Sequence, residues 1–226
     1  DYLQAIFFYI FGVNWQSYIL HASVLNAVLA LSTFFLLKNF KLNIYLCFFY
    51  SISISILAYP SSGTPFTDHH AAFFSLLSVY VLILGIKSEN KFYWILLPFL
   101  FVFAFLSKQV PSSYVAIYTI LVLLTYSLVN KKFYWIKYSL FSVAFIIFFI
   151  IFFSLYKNIN LNYFLNQYIF YPQTLGDERY KSLDINFDNL ITHFKYIYLA
   201  MMVFTYVNLK RFYLDTSFLK KNNFYY

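Results

Sequence analysis

Long stretches of this chain carry almost no polar side chains, and the breaks between them are short. Gln16–Leu37, Leu42–Tyr59, His70–Ile86, Phe92–Leu106, Ser112–Val129, Phe133–Tyr156 and His193–Leu209 each read as a near-continuous apolar run. A hydrocarbon core of about 30 Å takes roughly 20 residues of α-helix to cross, so these runs predict about seven membrane spans. None alternates apolar and polar residues with the period of a barrel strand, and several are apolar on every side, as lipid-embedded helices are. Tyr2–Phe11 is too short to cross and predicts an interfacial helix or the end of a further span. The predicted fold is all-α: a polytopic transmembrane helix bundle forming one domain over residues 1–226.

Composition removes the water-soluble alternatives. The chain is 62% hydrophobic and only 11% charged, against about 25% charged in an ordinary soluble domain. The single cysteine, Cys47, lies in an apolar run, which leaves no disulfide framework and no thiolate metal site. The sequence opens at Asp1 without a methionine and shows no cleavable signal, and it reads as a fragment of a longer protein.

Loop charges orient the predicted spans, because positive residues gather on the cytoplasmic side. Lys38, Lys41, Lys87, Lys91, Lys131, Lys132, Lys137, Lys210, Arg211, Lys220 and Lys221 fall on one side with Glu89 and Asp215, a net of +9. Lys108, Lys157, Arg179, Lys181 and Lys195 fall on the other with Asp1, Asp68, Asp177, Glu178, Asp184 and Asp188, a net of −1. Loops 59–69, 107–111 and 157–192 are therefore expected outside the cytoplasm. The expected location is the inner (cell) membrane of a bacterium. Inside-positive topology accounts for the basic charge without nucleic-acid binding.

Polar chemistry collects on the predicted outer face in three segments. In Tyr59-Pro-Ser-Ser-Gly-Thr-Pro-Phe-Thr-Asp-His-His70 the prolines and glycine exclude helix over Pro60–Pro65, and a helix restarts near Thr67 or Asp68. Thr67 or Asp68 as a helix cap explains the carboxylate. A site for a polar substrate, its phosphate or a metal ion explains why His69 and His70 stand beside it. Adjacent histidines on a helix point about 100° apart, so no divalent metal and no cofactor is assigned. In Phe105-Leu-Ser-Lys-Gln-Val-Pro-Ser-Ser113 the turn is very short, and Lys108 with Gln109 is placed either to snorkel to the interface or to pair with a lipid-linked phosphate. In the third segment, Asn162–Tyr171 predicts an interfacial amphipathic helix, and Arg179 is a candidate anion contact. His21 and Asn26 read as interhelical hydrogen-bonders, and Ser51, Ser53 and Ser55 as small residues that let helices pack closely.

Three of these stretches, in order, carry a resemblance. Ile10-Phe-Gly-Val-Asn-Trp-Gln-Ser-Tyr18, Thr64-Pro-Phe-Thr-Asp-His-His70 and Leu106-Ser-Lys-Gln109 resemble segments of the family 39-type membrane glycosyltransferases, which include the protein O-mannosyltransferases and the aminoarabinose transferases. The likeness covers roughly residues 1–180 and rests on short motifs. It implies a GT-C fold and inverting transfer of a sugar from a polyprenyl-phosphate donor to an acceptor at the outer membrane face. Asp68 matches the family's second acidic position and would orient acceptor or donor. Lys108 and Gln109 match its Lys-Gln corner, which would hold the donor phosphate. The acceptor-activating acid of such enzymes lies in a first outer loop, expected upstream of Asp1. The other class weighed is a transporter or flippase of a lipid-linked or small polar substrate; an acidic residue just after one further upstream span would favour the transferase. A purely structural scaffold accounts least well for the outer polar cluster.

Overall fold

The computed structural model describes residues 2–58, 67–181 and 186–214, and every regular element among them is helical. The helices are α1 (Tyr2–Phe11), α2 (Trp15–Asn39), α3 (Ile44–Leu57), α4 (Thr67–Ser88), α5 (Lys91–Ser107), α6 (Gln109–Asn130) and α7 (Tyr134–Tyr156). They continue with α8 (Leu161–Leu165), a π-helical turn (Asn166–Phe170), α9 (Tyr171–Lys181) and α10 (Phe187–Leu214). Two compact units divide the chain at Pro172 and Gln173.

Four helices, α2, α4, α6 and α7, are long and apolar enough to cross a membrane. α3 has 14 residues and α5 has 17, so at 1.5 Å per residue they rise only about 21 and 26 Å. α10 has 28 residues, with His193 and Lys195 in its first half, and is not among those four. The stretch after α7 is more helical than a loop: helix resumes at Leu161 and continues through Asn162–Tyr171 to Lys181.

Side-chain contacts fix the directions of the helices in the first unit. α2 and α4 meet at three levels, through His21 and His70, Thr33 and Tyr80, and Asn39 and Lys87, so they run parallel. α3 runs back along α2, with Phe48 against Phe34 near one end and the Ser55 carbonyl accepting from Asn26 at 2.7 Å nearer the other. α5 is antiparallel to α4, since Phe103 meets Phe74 and Trp94 meets Gly85. α6 returns parallel to α4, touching it through Lys108 at its start and, past its end, through Lys132. α7 follows α5, pairing Tyr134 and Ser139 with Trp94 and Phe145 with Phe99.

The packed centre is Val81 and Leu82 of α4, Trp94, Leu97 and Leu100 of α5, and Leu123 of α6. Gly85 lets the Trp94 indole lie directly on the α4 backbone. Small hydroxyl residues fill other close contacts: Ser51, Ser75, Ser78, Thr119, Ser127 and Ser142 are all buried. Dispersion and close approach hold such helices together, because lipid removes the hydrophobic drive for helix to meet helix. Outward faces of α3, α6 and α7 carry large exposed apolar side chains, among them Phe49, Leu121, Phe148 and Phe152.

Candidate functional site at the Asp68 end of the bundle

The unit has two chemically different ends. One gathers the starts of α2, α4 and α6 and the end of α5; the other gathers the lysine-bearing turns after α2, α4 and α6. The candidate site lies at the first.

Its centre is a break in the chain. α5 stops at Ser107, Lys108 is extended (φ −159°, ψ 135°), and α6 begins at Gln109 with Val110 still non-helical ahead of a cis Val110–Pro111 bond. Proline has no N–H to give the preceding turn. Ser112, buried, braces the break with its hydroxyl, donating to the Lys108 carbonyl at 2.5 Å, with the Gln109 carbonyl at 3.0 Å. The expected corner at 107–111 thus narrows to one extended residue, and that residue is the lysine.

Lys108 Nζ reaches Asp68 Oδ1 at 2.5 Å. Asp68 is the second residue of α4, inside its first turn, where the helix dipole favours a carboxylate. Of the two readings weighed for this aspartate, a cap and a site, the structure places it in the helix with its carboxylate on Lys108. Both side chains stay accessible, at 39% for Lys108 and 60% for Asp68. Gln109 donates through Nε2 to the Tyr168 carbonyl at 3.3 Å, tying the π-helical turn to the corner.

The two histidines part company. His69 is half-buried beside Phe73, while His70 is turned into the bundle and is 1% exposed. Two helical steps of about 100° put His70 on the side of α4 opposite Asp68. There His70 Nε2 lies 3.2 Å from Nε2 of His21, itself 0% exposed and covered by Phe7 of α1. This corrects the expectation that His70 shares the outward-facing cluster with Asp68. The interhelical role expected for His21 and Asn26 is what their contacts show. No group of three metal-binding side chains occurs among the described residues. The side chain of Arg179, and Tyr59–Phe66 with its prolines, lie outside the described residues.

The Gly12–Ser17 motif has a local structural cause. Gly12 adopts φ +81°, Asn14 caps α2 by accepting from the Ser17 N–H at 2.9 Å, and the Ser17 hydroxyl donates to the Gly12 carbonyl at 2.6 Å. Turn and cap account for these residue types without any substrate.

The paired histidines and the bracing serine escaped the sequence reading. The one available signal was that His21 and His70 each lie near the start of a long apolar helix, which registers them only if the two helices are known to run parallel. Searches against family models, curated proteins and solved structures return no match to this chain.

Proposed function

We propose that the chain belongs to a GT-C membrane glycosyltransferase that moves a sugar from a polyprenyl-phosphate donor to an acceptor at the outer membrane face. The observation that carries this reading is the ion pair of Asp68 with Lys108 at a broken helix corner. A half-exposed ammonium held by a single carboxylate is a ready anion site: an incoming phosphate takes the place of Asp68 on Lys108. The displaced carboxylate is then free to accept from a sugar or acceptor hydroxyl beside it. As the donor bond breaks, charge grows on the leaving phosphate, and a fixed cation stabilises that charge best where water is scarce. His69 and Gln109 flank the pair.

Seven crossings accompany this reading. α2 and α4 run parallel, so the chain returns between them, and α3 with the residues after it makes that crossing despite its length. α5 returns in the same way between parallel α4 and α6. α7 and α10 complete the set, with the Asp68 end outside the cytoplasm of a bacterial cell.

The test is sugar transfer from a polyprenyl-phosphate donor by the full-length protein carrying Lys108→Gln. Loss of such a charge-stabilising donor costs on the order of 100-fold in rate. Near-native transfer by a well-expressed variant would overturn the reading.

A transporter of a small polar or lipid-linked substrate is the second reading, and the buried His21–His70 pair favours it, because ionisable groups within spans mark translocation pathways. Uptake that is abolished by His21→Leu and unaffected by Lys108→Gln would select it.

A further inference from the structure

We propose that the lysine-rich end of the bundle is a binding surface for anionic phospholipid headgroups. Three turns meet there: Lys38–Lys41 after α2, Lys87–Lys91 after α4, and Lys131–Lys137 from the end of α6 into α7. They form one continuous surface because two contacts knit them together. Lys87 crosses from the second turn to the first, donating to the Asn39 carbonyl with its Nζ 4.1 Å from the Phe40 ring centre. Lys132 crosses from the third turn to the second and takes Glu89.

Glu89 is the one acidic residue in these three turns, and that ion pair engages it. Lys38, Lys41, Lys91, Lys131 and Lys137 are all exposed and make no ion pair among the described residues. Five cations on one face create a field that a monoanionic or dianionic phosphate satisfies. Phe40, Tyr45, Phe92 and Phe133 are exposed and lie within two turns of these lysines, Tyr45 at 80%. An exposed tyrosine at that level is what an interface between hydrocarbon and headgroups selects. The aromatic ring therefore puts the lysines at headgroup depth, which points to a lipid phosphate and away from a free one. Juxtamembrane lysines draw anionic lipid with about 1 kcal/mol each, or roughly fivefold in affinity. This inference is independent of the chemistry at the Asp68 end.

The experiment is thermal unfolding of the purified full chain titrated with phosphatidylglycerol or phosphatidylcholine, with inorganic phosphate as a third arm. Phosphatidylglycerol is expected to raise the unfolding temperature saturably and phosphatidylcholine to leave it nearly unchanged. The combination Lys41→Gln, Lys91→Gln and Lys131→Gln is expected to weaken the phosphatidylglycerol effect by about a hundredfold, and the matching arginine combination to keep most of it. If the triple variant does not fold, the single variants, each expected to lose about fivefold, carry the test. Equal half-saturation for the glutamine variants and the native chain overturns the proposal. So does an equal shift from inorganic phosphate at the same phosphate concentration.

Discussion

Asp68 in the first turn of α4 and Lys108 at the break between α5 and α6 form an ion pair at 2.5 Å, and neither residue is buried. Exposed pairs of this kind contribute only about 0–1 kcal/mol to stability. Lys108→Gln and Asp68→Asn are therefore each expected to change unfolding stability by less than about 1 kcal/mol. The exchanged pair, Asp68→Lys with Lys108→Asp, is expected to fold as the native chain does and to be inactive in sugar transfer, because the cation then sits on the wrong element. Activity in the exchanged protein would show that only the pairing matters.

The corner that carries Lys108 depends on one hydroxyl. Ser112 is 1% exposed and its hydroxyl donates to the Lys108 carbonyl across the break at Val110. Ser112→Ala leaves the Lys108 carbonyl without that donor, at an expected cost of about 1–3 kcal/mol. Thermal unfolding in detergent measures it. Ser112→Thr keeps the hydroxyl and is expected to recover part of the loss.

How much of this was legible beforehand depends on the range of the interaction. The apolar runs of α2, α4, α6 and α7 follow from local composition, and their ends from Gly12, Pro60, Pro65 and Pro111 on one side and from the lysine- and asparagine-bearing turns on the other, so the sequence alone locates them. Asp68 and Lys108 were readable as chemically interesting because each stands at a break beside polar neighbours, and both lie at the same end of alternating spans. Their direct contact was not readable, since it depends on how α4 and α6 rotate about their axes. His70 illustrates the same limit. Its neighbourhood in sequence assigns it to Asp68, but the 100° step of the helix assigns it to His21, and only the packed bundle shows which neighbour counts. α3 and α5 show the limit from the other side: their runs read as apolar throughout, yet their helices stop at 14 and 17 residues.

The His21–His70 contact makes a prediction about non-additivity. The two rings are buried and their Nε2 atoms lie 3.2 Å apart, an arrangement that takes one N–H and one lone pair. His21→Leu removes one side of a buried hydrogen bond and is expected to destabilise by about 1–3 kcal/mol. The double change to leucine at both positions is expected to recover much of that loss, since two apolar groups of similar volume leave no polar nitrogen facing an empty partner. Additive losses in detergent unfolding would mean that the two rings do not act as a pair.

Gly85 predicts a packing defect. A methyl group there would stand 3.1 Å from two carbons of the Trp94 ring, and Trp94 is 0% exposed in the centre of the core. The indole has no room to retreat, so Gly85→Ala is expected to cost about 1–3 kcal/mol by overpacking, partly offset by the better helix propensity of alanine. A variant as stable as the native chain would show that α4 and α5 separate easily at this level.

The crossing count is tested by thiol labelling. Ser88 ends α4, and exposed Gly176 lies in α9, on the continuous helix 161–181 after α7 that the sequence reads as interfacial and not as a span. Three helices, α5, α6 and α7, separate the two positions. If all three cross, an odd number of passages puts Ser88 and Gly176 on opposite sides of the membrane; if the short α5 does not, they share a side. Cys47 is 0% exposed, so the native chain supplies a quiet background. In intact cells an impermeant thiol reagent is expected to modify Gly176→Cys and to reach Ser88→Cys only after permeabilisation, which agrees with the lysines near Ser88 facing the cytoplasm. Labelling of both in intact cells removes α5 from the spans. Labelling of Ser88→Cys alone keeps the spans and reverses the orientation, which would put the Asp68–Lys108 site on the cytoplasmic face, away from an acceptor outside the cell.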